Sequence, residues 1–577
     1  MDSQWNLQID SERAWQHVRR LTEDMPGRYT GTKECEQAAE YIATELHHAK
    51  VDEVEIENYP GYGTFISPGS VEVLAPEHIF INCETVGYSL STEAQGLTAE
   101  FVDIGPGWEA DWRKYDLTGK AVLSNAWEGP GTPEKARLAA EHGAIALVLV
   151  TWPAPEANVC TFRAFKGVWG NPDRESMHTI PSIVAVTISY SDGVHLRTLL
   201  RGQNVQGRIY AQATREWVTL HQPIATVRAA QPTEDFILVA GHLDVWRPGV
   251  TDNATGVALM LEMARSLTAR QKDLKRNIVF AFWDGHEVLE ATGSSCFLEK
   301  HWDAVREHGI AQLNVDSPGL IGADHYLSFA SYEMMDFLTN LHAQLHFPEE
   351  IKIAPLTRDS DQSFCGVGFP GWFTIEWGPS IPKGTATIPF FWWGHTLFDT
   401  IDKFDAKRFE RTAALYAAYV EALSSTTSIP YRLAPAVTAL DTAIKKCIFE
   451  CPSLNIWLHL ETCQQELTEL VHLAHQLDTT VQDRAPIEQT AILALYRDMM
   501  QLIAPILYTA SGRYRQDRYG DLRYREPAPI LAPWRALAQT PPQSEDWYLL
   551  LTESLRVRNQ LSDTIYKATS QLRTTLA

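Results

Sequence analysis

The stretch Phe236-Ile237-Leu238-Val239-Ala240-Gly241-His242-Leu243-Asp244 decides the fold. Five consecutive apolar residues read as a strand buried on both faces, because a strand with one wet face would alternate. A helix follows from about Gly256 to Ala269. Asn277-Ile278-Val279-Phe280-Ala281-Phe282-Trp283 is a second such strand, and Ala311-Gln312-Leu313-Asn314-Val315 a third. Strand and helix in alternation predict an α/β fold with a doubly wound, mainly parallel sheet, whose functional groups collect at the carboxyl ends of the strands.

Upstream, apolar positions recur at helical spacing from Ser11 to Lys50, broken by Pro26-Gly27-Arg28-Tyr29-Thr30-Gly31, and Val51 to Tyr59 alternates like a strand. From about 76 to 215 the texture changes to short apolar strands and Gly/Pro turns. Ala121 to Leu123, a helix from Pro133 to His142, and the run Ala144 to Val150 form a small α/β unit, read as an insert because a different sheet resumes beyond it. Downstream of about 431 the pattern is helical, interrupted by Ser511 to Pro533 and Thr540-Pro541-Pro542. The expected division is 1–75 and 216–430 for the sheet domain, 76–215 for the insert, and 431–577 for a helical dimerisation domain.

The 577 residues carry 49 Lys plus Arg against 72 Asp plus Glu, a net charge of −23. That balance opposes binding to nucleic acid or to an anionic membrane, which needs clustered cations. The longest apolar run, Gly143 to Trp152, is too short to cross a bilayer, and Met1-Asp2-Ser3-Gln4-Trp5-Asn6 lacks the basic start of a secretory signal. Eight Cys are too sparse for a disulfide framework, so reduced thiols and a cytoplasmic location are expected. Cys447, Cys451, His459 and Cys463 form a possible metal set, but helical spacing among apolar neighbours favours a buried helix pair.

Each sheet strand is followed by an acidic or imidazole group. Gly241-His242-Leu243-Asp244 ends the first, and Thr251-Asp252-Asn253 lies ten residues past His242. Trp283-Asp284-Gly285-His286-Glu287 ends the second, Asp316 the third, and Gly394-His395-Thr396 follows a later strand at Phe390 to Trp393. Two His and three carboxylates at one sheet edge suit two divalent, zinc-like ions. Taken singly, each would pass for a loop residue, and Asp252 for a helix cap. Five in register with successive strands are harder to dismiss. His286-Glu287-Val288-Leu289-Glu290 is not an HExxH zinc helix, since Glu stands where the second His must lie.

These segments, with Gly293-Ser294, Asn314-Val315-Asp316 and Asp399-Thr400, resemble the M28 family of zinc peptidases, and the domain order resembles its glutamate carboxypeptidase and transferrin receptor branch. Arg28, Gly31-Thr32 and Ala38-Ala39-Tyr41 resemble that family's opening segment. Asp116-Leu117-Thr118-Gly119-Lys120 and Gly143-Ala144-Ile145-Ala146 resemble its protease-associated (apical) domain. The resemblance implies a zinc-peptidase fold with that insert and a C-terminal helical domain pairing two chains. It implies that His242 and Asp316 hold one zinc, Glu287 and His395 the other, and that Asp252 bridges them. Asp244 would accept the His242 N–H, and Asp399 would stand behind His395. The peptide bond after Asp252 is often cis in the family. Asn253-Ala254-Thr255 is a formal glycosylation sequon, but a glycan there would collide with the metals.

The family's catalytic pair is Glu-Glu, whereas this chain has His286-Glu287. His286 is the expected base on the water between the metals, its ordinary pKa near 6.5 being suitable. Two alternatives stand beside it: a hydrolase of a non-peptide amide or with another metal, and a catalytically idle, metal-binding dimeric scaffold. The stretch Phe369 to Glu376 carries no arginine to grip an acidic substrate. The reading is therefore an aminopeptidase releasing apolar N-terminal residues. Trp392 and Trp393, if they are not core, would form an apolar pocket with Trp372, Phe373, Trp377 and Phe391. Asp361 would meet a substrate amine, and Arg163 and Lys166 would reach over the cleft from the insert.

Overall fold

The computed structural model of the chain describes residues 7–576 apart from 157, 358, 359, 385, 483–485, 522, 524 and 525. Residues 1–6, read above for a secretory signal, lie outside the described residues.

Phe236–His242 is a strand buried at every position, as is Gly309–Asn314. These two, Asn277–Trp283 and Gly371–Trp377 run parallel to one another at the centre of an eight-stranded sheet. Its edges are mixed. Glu216–Val227 pairs antiparallel with both Glu53–Gly63 and Asn277–Trp283, and His325–Ala330 lies antiparallel to Gly371–Trp377 and parallel to Ile351–Pro355. Phe236–His242 sits between Asn277–Trp283 and Gly309–Asn314; its own connection leads to one side of the sheet and that of Gly309–Asn314 to the other. The carboxyl end of that strand is the switch point where α/β sheets open a crevice.

Glu53–Gly63 and Glu216–Val227 pair along their whole length, from Glu53 opposite Thr226 to Gly63 opposite Glu216. Everything between them is extruded from one end of this ribbon. The extruded part is a closed seven-stranded barrel, running from Ile66–Ala75 to Gln206–Ala213 in sequence, with its own interior of Val71, Phe101, Leu123, Val148, Val186 and Ile209. The expected boundary at 76 is corrected by this pairing. Ile66–Ala75 bonds to Ile79–Thr85 and Gln206–Ala213 and so belongs to the barrel.

The C-terminal helices do not form a core of their own. Leu440, Leu467, Tyr496 and Leu561 join one continuous apolar cluster with Ile310, Leu313 and Trp372 of the sheet. Polar contacts tie the same parts together. Tyr431 donates its hydroxyl to the Ile310 carbonyl at 2.6 Å. Asp478 caps the start of helix Ala434–Glu450 by accepting from the N–H groups of Leu433 and Ala434, both at 2.9 Å. Cys447 and Cys463 are buried in this cluster, and no disulfide joins cysteines among the described residues. Among the described residues, no helix is long and apolar enough to cross a membrane.

Candidate metal centre

Four loops at the switch point bring the predicted groups together. His242 is the last residue of its strand, and Asp252 lies in the turn Val250–Ala254, where the Asp252-Asn253 peptide bond is cis. Glu287 follows Asn277–Trp283, Asp316 follows Gly309–Asn314, and His395 lies in a turn with φ 55°. The segment Phe390 to Trp393, expected as a strand, is turn instead, and the left-handed Phe391 and His395 explain why.

The two oxygens of Asp252 face different imidazoles. Oδ1 is 3.2 Å from His242 Nε2, and Oδ2 is 3.4 Å from His395 Nε2. His242 Nε2 is also 3.6 Å from Asp316 Oδ1, and His395 Nε2 is 3.2 Å from Glu287 Oε2. His242 Nε2 is buried without a hydrogen-bond partner. Burial alone would lower the pKa of His242, but Asp252 and Asp316 outweigh it and raise it well above the ordinary value. For His395, Glu287 and Asp252 likewise outweigh burial and push it up to about 9. Burial would raise Asp252, yet the two histidines hold it well below the usual carboxylate range. The cluster draws positive charge into positions between nitrogen and oxygen donors. That fits divalent cations held by His242, Asp316 and one oxygen of Asp252, and by Glu287, His395 and the other.

Asp244 does not play the part expected of it. The His242 Nδ1 partner is the Asp244 main-chain carbonyl at 2.9 Å, while the carboxylate oxygen lies 3.9 Å away. The carboxylate instead accepts from the N–H groups of His286 and Glu287, each at 3.1 Å, and from the Thr30 hydroxyl at 2.9 Å. It therefore shapes the 286–287 turn rather than the imidazole. Asp399 also differs: its carboxylate grips the Thr251-Asp252 turn, not His395. Asn253 is buried, bonding to Val315, Gly256 and Ser317, so the sequon is closed to a glycan.

His286 stacks on His242 with ring centroids 4.1 Å apart and planes 19° from parallel. Its Nδ1 is 3.1 Å from Asp361 Oδ1. Asp361 is fully buried at 0% exposure, so the expectation that it meets a substrate amine is corrected. Burial lowers the His286 pKa, but the Asp361 carboxylate outweighs it and holds the ring at about 9.

A cleft of about 310 Å³ lies over the cluster, and Arg163, His286, Glu287 and His395 reach it. Trp127, Trp152, Trp169, Trp246 and Tyr519 supply aromatic wall, and Glu290 and Ser360 polar edge. The Arg163 guanidinium lies 5.0 Å over the Trp152 ring, and its Nε is without a partner. Trp392 and Trp393 are core rather than pocket. They pack with Val159, Leu320 and Ile388, and Trp393 Nε1 donates to Thr251 Oγ1 at 3.2 Å. Trp372 and Phe373 are buried in the sheet. Lys166 is buried too, donating to Gly170 O at 2.8 Å and Thr292 Oγ1 at 3.1 Å, so it braces the wall instead of reaching across it. The sequence reading missed Trp127, Trp152, Trp169, Trp246, Glu290, Ser360 and Tyr519. Tyr519 is seated by its N–H bond to Gly167 O at 3.1 Å, a long-range contact without a local signal.

Arg28 anchors the site from behind. Its guanidinium donates to the carbonyls of Leu243 and Gly249, which flank the His242 and Asp252 loops, and to Leu21 and Met25. Arg28→Met is expected to leave several buried carbonyls unpaired and to cost about 3 kcal/mol or more. Urea unfolding checks this, and a loss below about 1 kcal/mol would mean that the carbonyls find other donors.

Residues 224–420, which hold every member of the cluster, match the model of Peptidase family M28. Aminopeptidase YwaD of Bacillus subtilis is 25% identical over 445 residues, covering 72% of this chain and 87% of that protein. An inactive zinc metalloprotease of Schizosaccharomyces pombe is 23% identical over 337 residues, covering 51% of this chain, which spans only 41% of that relative's length. Among solved structures, BSAP, a zinc aminopeptidase from Bacillus subtilis, shares the fold with a TM-score of 0.57 at 22% identity, over 73% of this chain and 96% of that one. The likeness to M28 peptidases thus centres on the stretch that holds the cluster, and the chain spans only part of the length of several of the relatives it matches.

Proposed function

Taking residues 224–420 as an M28-type peptidase core, we propose that the chain is a two-metal amide hydrolase that removes an apolar N-terminal residue from a peptide. The observation that carries this reading is the division of Asp252 between two imidazoles, at 3.2 and 3.4 Å, with a further carboxylate beside each. Two zinc-like ions bound there would acidify a water and polarise the scissile carbonyl. Asp361 alone would keep His286 protonated, but two cations beside it would repel the imidazolium and lower it again, so that the neutral ring accepts the proton released by the water and returns one to the leaving amine. Arg163, half-buried at the cleft wall, donates to a substrate oxygen. The aromatic wall excludes water and favours an apolar side chain.

We read the barrel as the protease-associated insert and the helices after 431 as a homodimerisation face. Phe449 and Ile456, 86% and 71% exposed, support the latter.

The test is a panel of aminoacyl arylamides with elemental analysis. About two metals per chain and turnover abolished by chelator and restored by zinc are expected. The relative named inactive favours an idle scaffold as the alternative. Full metal occupancy without cleavage of any amide in the panel would decide for it.

A further inference from the structure

Asp399 lies on the loop that carries His395, four residues beyond it, and is 2% exposed. Its carboxylate takes three hydrogen bonds from the neighbouring loop. Oδ1 accepts from Thr251 N at 3.0 Å and Thr251 Oγ1 at 2.6 Å, and Oδ2 accepts from Asp252 N at 3.0 Å. The link is doubled in the main chain, where Val250 N donates to the Asp399 carbonyl at 3.2 Å. Trp393, on the same loop, donates its indole N–H to Thr251 Oγ1 at 3.2 Å. The Asp399 carboxylate thus supplies three of the hydrogen bonds that fasten the two loops together.

The fastening is uneven with respect to the two cation positions. His242 ends a central strand, and Asp316 lies two residues past another; neither bonds to Asp399. His395 and Asp252, in contrast, both lie on the fastened loops, and they face each other at 3.4 Å. Without the fastening, the position between Glu287, His395 and Asp252 loses support for two of its three donors. The position at His242 and Asp316 loses support for one.

We propose that Asp399 is the positioning residue of the Glu287–His395 cation, setting the affinity of that position selectively. The proposal rests on the two-metal reading. Groups that orient metal ligands are worth about 10 to 100-fold in affinity. In Asp399→Asn, the amide nitrogen would turn a donor toward the N–H groups of Thr251 or Asp252, which removes at least one bond and the charge.

The experiment is calorimetric zinc titration of the full-length, metal-stripped chain. The unaltered protein should show two binding events. Asp399→Asn should weaken one of them about 10 to 100-fold and leave the other within about threefold. The melting temperature of the metal-free variant should lie close to the parent's. Thr251→Val, which deletes only the 2.6 Å bond and the Trp393 contact, should weaken the same event by less, and it carries the test if Asp399→Asn does not fold. Equal weakening of both events, or of neither, overturns the proposal. A single event in the unaltered protein overturns the two-metal reading itself, and Asp399 selectivity with it.

Discussion

Asp252→Asn is expected to remove both cations at micromolar zinc and to reduce amide turnover by more than about 100-fold. The lower bound follows from the effect of lesser groups: partners that merely orient a ligand already change metal affinity about 10 to 100-fold. Asp252 stands closer than any such partner, with one oxygen toward His242 and the other toward His395. The substitution keeps size and shape, so the bond that the main-chain N–H of residue 252 donates to the Asp399 carboxylate survives. One of the two side-chain atoms becomes a nitrogen carrying hydrogens, however, and cannot donate a lone pair to a cation. The charge is lost as well, leaving two carboxylates, Asp316 and Glu287, against four positive charges. Elemental analysis after dialysis reads the outcome directly. Two zinc ions retained by the variant would falsify the bridging role.

The same geometry explains which parts of the site were legible in sequence. His242 ends its strand, and Asp316 and Glu287 follow theirs by two and four residues, so strand recognition alone placed them at one edge. Asp252 and His395 are fixed by turns: the spacing from His242 picked out the first, and the second was picked out by a strand expected at Phe390 to Trp393 that is turn instead. Partners proved harder. The spacing His242-x-Asp244 predicts a carboxylate on the imidazole, but the chain bends after the strand so that the Asp244 carbonyl takes that place. Its carboxylate is freed to cap the His286-Glu287 turn. Composition also misled at Trp392 and Trp393. Aromatic residues near a metal ligand suggest a pocket, yet their turn faces inward and packs on Leu320 and Ile388. The true aromatic wall comes from Trp127, Trp152, Trp169, Trp246 and Tyr519, which meet only after barrel, sheet and C-terminal segment have docked. No periodicity within any one of those segments encodes that meeting.

His286→Ala is expected to lower kcat by about 10² to 10⁴-fold, the usual worth of a positioned proton acceptor, while both metals stay bound. The expectation depends on how His286 is held. Its ring lies nearly parallel to His242, with the centroids 4.1 Å apart. Its Nδ1 faces the buried Asp361 carboxylate at 3.1 Å, which favours a hydrogen on Nδ1, so that once the cations repel the imidazolium it is Nε2 that carries the free lone pair. Asp361→Asn should therefore reproduce part of the loss without touching the cleft, because Asp361 is fully buried. The opposing arrangement is concrete. His242, His286 and Asp316 each offer a ligand atom within 4.8 Å of the others, a spacing that would also let His286 bind the first cation. Metal analysis separates the two roles. An acceptor leaves the zinc content at two per chain when removed, whereas a ligand takes the His242–Asp316 zinc with it. Retention of full kcat in His286→Ala would exclude both and place the proton on another group at the cleft, of which Glu290, raised by burial to about 7, is the nearest in sequence that the proposed cations do not use.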